Sequence, residues 1–219
     1  MFSDPETPEP VARVATIMSD FGATWLLCGG WAADSALGRL TREHHDIDIT
    51  VFHEDQRALF EHLAGWQLVG HDDHVADDSS EPWLGRELEP PAHIHALPQG
   101  SPPADSRTGQ GPGFNLEVIL NERSGDEWLF SRAPHIALPL SRCVVQSPWG
   151  VDAVTPEVIV FYKALPPAWR NGPRTPIRRR DERDFAALLP QLAGEQRRWL
   201  HDSIALIEPA HPWLPRLRG

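Results

Sequence analysis

Across residues 46–52, Asp46, Asp48 and Thr50 alternate with Ile47, Ile49 and Val51, the period-two pattern of a strand with one apolar face. Successive strand side chains point to opposite faces, so Asp46 and Asp48 share one, with carboxylates about 6.5 Å apart. Adjacent unpaired carboxylates repel and raise each other's pKa, which is costly unless a cation neutralises them. Mg²⁺ suits the task, because it takes a few carboxylate oxygens together with phosphates and water. Without context the same pair reads as the solvent face of an edge strand. The context just upstream argues otherwise. Residues 25–28 form a short apolar run closed by Gly29 and Gly30, residues 31–37 have helix-forming composition, and Gly38 is a C-terminal stop. A strand, a glycine turn and a helix start together offer backbone N–H groups that can cradle phosphate.

The remaining chain alternates elements early and becomes helical late. Val11, Val14, Ile17, Met18 and Phe21 have helical spacing, as do Leu59, Phe60 and Leu63 within residues 54–64. Residues 66–69 and 93–97 read as strands. Residues 71–91 are acidic with little periodicity, an insertion expected to be mobile or substrate-facing. Residues 98–113 are a Pro/Gly/Ser-rich loop. Residues 114–121 are a strong strand, turned at 124–126 into a hairpin with residues 127–130. After a strand at 151–154, Thr155 is an N-cap candidate, Pro156 fits the first helical position and Glu157 favours the positive helix end. That helix carries Lys163 and ends at Pro166 and Pro167. A basic loop follows over 170–180, then helices over 181–189 and 195–207.

A chain of 219 residues fits one large domain or a core with a smaller helical appendage. At 41% hydrophobic and 23% charged residues, with no long apolar segment, it reads as globular without a membrane partner. No secretory leader pattern precedes residue 10, so the expected location is cytoplasmic. Cys28 and Cys143 form neither a disulfide framework nor a CxxC pair and read as small buried residues. A net charge of −11 without a Lys/Arg stripe argues against duplex nucleic acid and suits a cationic small molecule. Oligomeric state is not legible.

The run Cys28-Gly29-Gly30-Trp31-Ala32-Ala33-Asp34, then Gly38-Arg39, then Thr41-Arg42-Glu43-His44-His45-Asp46-Ile47-Asp48-Ile49 resembles the aminoglycoside and lincosamide nucleotidyltransferases of the polymerase-beta-like superfamily. Residues 155–163 and 180–185 also look like that family's C-terminal half. The resemblance implies an α+β nucleotidyltransferase fold, a mixed sheet flanked by helices. Its core would span residues 1–154, with a C-terminal helical region over 155–219 packed on it. It implies an enzyme that moves a nucleoside monophosphate, AMP from ATP, onto a hydroxyl of a small molecule such as an aminoglycoside or lincosamide. Two Mg²⁺ ions would be held by Asp46, Asp48 and a third carboxylate. Gly29 and Gly30 would bind the triphosphate.

Glu117 is the candidate third carboxylate and general base. It shares a strand face with Asn115 and Ile119, and a charged residue in an apolar strand wants a reason. Glu stands where the family usually has Asp; Asn115 and His95 are rivals for the position. By the same analogy Lys163 would approach the nucleotide phosphates, and Arg180 or Asp184 would line the cleft. Lys163 can equally be a solvated cation at a helix C-terminus. Arg39 and Arg42 flank the metal strand, and Arg42, nearer Asp46, is the better candidate to meet the transferred phosphoryl group. Trp31, Trp66, Trp128 and Trp149 read as core or interface residues rather than a base-stacking platform.

Two alternatives stand beside this reading. One is an HD-type metal phosphohydrolase, since His45-Asp46 is an HD pair and His44, His53, His71, His74, His93 and His95 are potential ligands. Against it, HD ligands come from helices, whereas this segment alternates as a strand, and the histidines show no ligand spacing. The other is a non-catalytic nucleotide-binding or antitoxin-like module, against which retention of both aspartates and the Gly-Gly turn speaks.

Overall fold

In a computed structural model, residues 6–72, 81–102, 113–165 and 177–218 are described. The chain opens with helix α1 (Glu9–Ile17), strand β1 (Trp25–Leu27), helix α2 (Gly29–Leu37) and strand β2 (Ile47–Phe52). Helix α3 (Gln56–His62) leads to β3 (Gln67–Asp72), β4 (Glu81–Pro82), β5 (Ala92–Leu97) and β6 (Leu116–Ser124). The hairpin partner β7 (Glu127–Leu129) follows, then β8 (Ala137–Pro139), the short α4 (Leu140–Cys143), β9 (Val144–Gln146) and β10 (Asp152–Val154). The chain closes with α5 (Pro156–Ala164), α6 (Arg179–Leu188), α7 (Gly194–Ile207) and α8 (Leu214–Leu217).

The strands form one mixed sheet in the order β4-β3-β5-β6-β2-β1-β10-β9, with β7 and β8 continuing from β6. β2 pairs in parallel with β6 and antiparallel with β1, and β1 pairs in parallel with β10. An α+β architecture with a mixed sheet results, as the sequence implied. Because β2 is central, its apolar face is sealed: Ile47, Ile49 and Val51 are at most 1% exposed. The opposite face is only partly covered. Thr50 lies beneath α5, where its hydroxyl donates to the Ile119 carbonyl at 2.9 Å and accepts from Asn121 at 2.5 Å. Tyr162 of α5 donates to Asn121 Oδ1 at 2.6 Å. This buried chain of hydrogen bonds satisfies polar groups that would otherwise be costly in the core. Asp46 and Asp48, at the other end of the strand, stay in the open part.

Several local readings shift. Gly29 and Gly30 belong to the first turn of α2 rather than preceding the helix, with Cys28 as its N-cap. Thr155 precedes α5, yet its hydroxyl donates to the Arg142 carbonyl and makes no side-chain cap. The 71–91 stretch is not simply an insertion. His71 and Asp72 complete β3, while Trp83 and Leu88 are core residues at 2% and 1% exposure, with Trp83 edge-on to Phe60. Tryptophan buries a large apolar area, so its presence in a polar stretch was the sign of an anchor. The acidic cluster between them, including Asp77 and Asp78, the loop around residues 103–112 and the basic loop around Arg170 lie largely outside the described residues. Trp31, Trp128 and Trp149 are core, and both cysteines are buried free thiols.

Candidate active site

β2 and β6 run side by side in parallel with Asp48 the register partner of Glu117, so both carboxylates rise from the same face. Asp46, two residues earlier, joins them. Each of the three offers a carboxylate oxygen within 4.8 Å of the others. Of the rivals for the third position, Asn115 turns back to donate to the Gly113 carbonyl, and His95 pairs across from Glu117 on β5. Glu117 is therefore the carboxylate that joins the aspartates.

The start of α2 is fitted to this trio. Cys28 N–H donates to the Asp48 carbonyl at 2.9 Å, which ties the helix start to β2. Gly29 has φ +62°, and a Cβ there would fall inside the van der Waals radius of Asp48 Oδ2. A Cβ on Gly30 would collide with the Arg42 guanidinium and the His44 ring. The glycines thus bring bare backbone up to the carboxylates, where the partial positive charge of a helix N-terminus lies.

Electrostatically the trio is frustrated. Burial, then the charges of Glu117 and Asp46, raise the Asp48 carboxyl well above the ordinary carboxylate range, while Lys163 and Arg180 oppose the shift. Neighbouring Cys28 is likewise pushed up, by burial and then by Asp48 and Glu117, so its thiol is neutral. Three converging carboxylate oxygen donors, with Asp48 raised by burial and its acidic neighbours, fit a hard divalent cation such as Mg²⁺.

Cations approach from the C-terminal helices. Lys163 of α5 pairs with Asp184 Oδ2 at 2.6 Å and Asp181 Oδ1 at 3.3 Å, both on α6. Its side chain is 11% exposed, so the solvated helix-end reading does not hold. Arg42 Nη2 lies 3.7 Å from Asp184 Oδ2, and Arg39 is exposed. Asp184 is therefore the anchor of both Lys163 and Arg42. Carboxylates, glycines and cations line one cleft of about 360 Å³, with Arg180, His93, Phe130 and Arg132 on its walls.

Asp34 and Thr41, left without a role in the sequence reading, act together with His44, there a potential metal ligand. Asp34, 1% exposed in the middle of α2, accepts from His44 Nε2 at 2.7 Å, from Thr41 N–H at 3.2 Å and from the Thr41 hydroxyl. Burial acts to raise its pKa, but the hydrogen bonds from His44 and Thr41 prevail and lower it. His44 also packs on Trp31 with ring centroids 4.5 Å apart, and Trp31 Nε1 donates to the Asp46 carbonyl at 2.9 Å. This clamp fixes the segment leading into β2. The signal was present in sequence: a carboxylate among alanines in a buried helix requires a partner. His45, the histidine of the HD pair, is exposed, and Asp46 lies at the start of a strand rather than on a helix.

A mixed-sheet α+β fold here presents three carboxylates to a glycine-led helix start, an arrangement that can hold a divalent metal beside a phosphate-binding backbone. Residues 10–74, which contain Gly29, Gly30, Arg42, Asp46 and Asp48, match the family model described as aminoglycoside-2''-adenylyltransferase. Comparison with curated sequences finds no match. Among solved structures, the antibiotic-resistance factor ANT(2'')-Ia in solution is 15% identical with TM-score 0.55, covering 95% of each chain. ANT(2'')-Ia in complex with adenylyl-2''-tobramycin is 17% identical with TM-score 0.53, covering 91% of this chain and 95% of that one. The lincomycin-bound lincosamide adenylyltransferase LnuA is 13% identical with TM-score 0.52, covering 84% of this chain and 97% of that one. At these identities the structures establish the fold, and the family match is confined to the segment that carries the glycines and both aspartates. The chain thus shares the fold of these adenylyltransferases, and its residues 10–74 are similar to the aminoglycoside-2''-adenylyltransferase family.

Proposed function

We propose that this enzyme transfers AMP from ATP to a hydroxyl of a small cationic acceptor of the aminoglycoside or lincosamide kind, within the cytoplasm. The observation that carries the reading is the convergence of Asp46, Asp48 and Glu117 beside the bare backbone of Gly29 and Gly30. Residues 1–154 would form the catalytic core, and residues 155–219 the helical region that brings Lys163 and Arg180 to the cleft, with Asp184 buried behind Lys163.

Asp46, Asp48 and Glu117 would hold Mg²⁺, which supplies neutralisation of the charge on the transferred phosphoryl group. The chain itself does the rest. Backbone N–H groups at the start of α2 receive the triphosphate, and Arg42 and Lys163, steadied by Asp184, balance its negative charge. Glu117 accepts the proton of the acceptor hydroxyl as general base. The net charge of −11 favours approach of a cationic acceptor.

The test is calorimetric titration of ATP with Mg²⁺ into the wild type and an Asp46→Asn/Asp48→Asn variant, followed by a pyrophosphate-release screen over aminoglycosides and lincosamides. Binding that requires both Mg²⁺ and the aspartates is expected. So is acceptor-dependent release that falls at least ~10³-fold in the variant, the size of a lost interaction worth several kcal/mol in the transition state. Equal nucleotide binding by the two proteins would sink the reading.

A further inference from the structure

Beyond the carboxylate trio, strand pairing gathers a second set of potential ligands that sequence spacing does not reveal. His71 on β3 is the register partner of His93 on β5, and His95 follows two residues along the same face. Ring nitrogens of all three lie within 4.8 Å of one another. The rings of His71 and His93 stack with centroids 4.5 Å apart and 2° between planes. His95 stands edge-on to both, at 4.9 and 5.1 Å. His71 and His95 are 7% and 6% exposed, whereas His93 reaches the cleft wall.

Three imidazoles this close cannot all carry a proton, because like charges at such range disfavour ionisation. Neutral imidazole is a nitrogen donor of borderline softness, suited to zinc, copper, nickel or iron rather than to magnesium. Three histidines with a water in the fourth position are an established ligand set for Zn²⁺, with Zn–N distances of about 2.0–2.1 Å. Nitrogens at those distances around one ion stand about 3.3 Å apart, so rings already within 4.8 Å can converge once His71 and His93 turn out of their parallel stack and aim their in-plane lone pairs at one point. His95 is also the register partner of Glu117, which sets this cluster immediately beside the carboxylates while leaving its donors separate from theirs.

We propose that His71, His93 and His95 form a three-imidazole site for a borderline divalent transition metal, Zn²⁺ foremost, which links β3 to β5 beside the catalytic cleft. The site is independent of the transferase reading. Its test uses the full chain stripped with chelator and titrated with Co²⁺ as a visible stand-in, then with Zn²⁺ as competitor. One equivalent of Co²⁺ should bind with visible absorption bands, be displaced by Zn²⁺ and resist excess Mg²⁺. Affinity should fall at least ~100-fold in His93→Asn and in His71→Gln, each verified as folded by circular dichroism. It should persist in Asp46→Asn/Asp48→Asn. Failure to bind either ion more tightly than about 1 mM, or loss that follows the aspartates and not the histidines, would overturn the site. Nucleotide transfer by a protein that fails this titration would reject the metal site alone; zinc binding without transfer would reject the transferase reading alone.

Discussion

Asp46, Asp48 and Glu117 on the β2–β6 pair, and His71, His93 and His95 on the β3–β5 pair, occupy neighbouring strips of one sheet face. The carboxylates are charged and mutually repelling, with Asp48 pushed toward the protonated state. The imidazoles pack as rings, one pair stacked and the third edge-on, an arrangement that neutral histidines hold without an ion. The same strand geometry therefore produces one cluster that is strained when empty and another that is already content. A cation relieves the first and only tightens the second. The carboxylate trio is also buttressed by a helix start that no side chain can share, whereas the imidazole trio is brought together by the β3–β5 pairing.

The largest effect that would break this comparison is expected at Gly29. Alanine there must adopt φ +62° and place its Cβ against Asp48 Oδ2, so the carboxylate or the helix start has to move. Displacements of about 1 Å in a catalytic constellation cost on the order of 10²-fold. Gly29→Ala should lose at least that much in kcat/KM while its Co²⁺ titration stays that of the wild type. Steady-state kinetics and Co²⁺ spectra on one preparation check both halves. Loss of both properties together would mean that the two clusters are not separable.

A smaller effect should follow removal of the clamp behind the carboxylates. Asp34→Ala leaves the buried His44 side chain, and the exposed Thr41, without their acceptor, a loss of about 1–3 kcal/mol arising mainly at His44. Asp34 has a lowered folded-state pKa, so it contributes stability that is full above the unfolded value of about 3.9 and disappears as pH falls through the folded value. In the variant that part of the acid dependence should vanish. Denaturant titrations of both proteins between neutral and acid pH would reveal it, and parallel pH curves would show that Asp34 contributes nothing beyond packing.

How these regions appear in sequence follows from how local their causes are. The β2 alternation, Gly38 in its left-handed stop and the hairpin from β6 to β7 depend on neighbours in the chain, and all are where periodicity and turn chemistry put them; the glycine pair differs only in lying inside the first turn of α2. Glu117 was legible as an odd charge in an apolar strand, although only the register with Asp48 joins it to the aspartates. The histidine cluster has no such trace. His71 and His93 meet through antiparallel pairing across a long connection, which ligand-spacing arguments cannot anticipate. Trp83 was misplaced for a related reason, since a single aromatic in an acidic stretch has no period to read. The sequence left Lys163 between the cleft and a solvated helix end because its partners Asp181 and Asp184 lie a helix away.

The finest test asks whether the empty carboxylate site is in fact strained. A raised folded-state pKa means that stability is full below the unfolded value of about 3.9 and declines as pH rises toward the folded value, with the penalty persisting above it. Asp48→Asn removes the charge but keeps the shape. In metal-free protein at neutral pH it should therefore melt higher than the wild type, by roughly 2–4 °C for each kcal/mol relieved, and the advantage should shrink toward pH 4. Mg²⁺ with ATP should stabilise the wild type and not the variant, because only a state that binds ligand gains from its presence. His93→Asn, a half-buried residue in the contented cluster, should change metal-free stability by no more than about 0.5 kcal/mol. An Asp48→Asn variant that melts below the wild type without metal would remove the charge frustration on which the contrast between the two clusters rests.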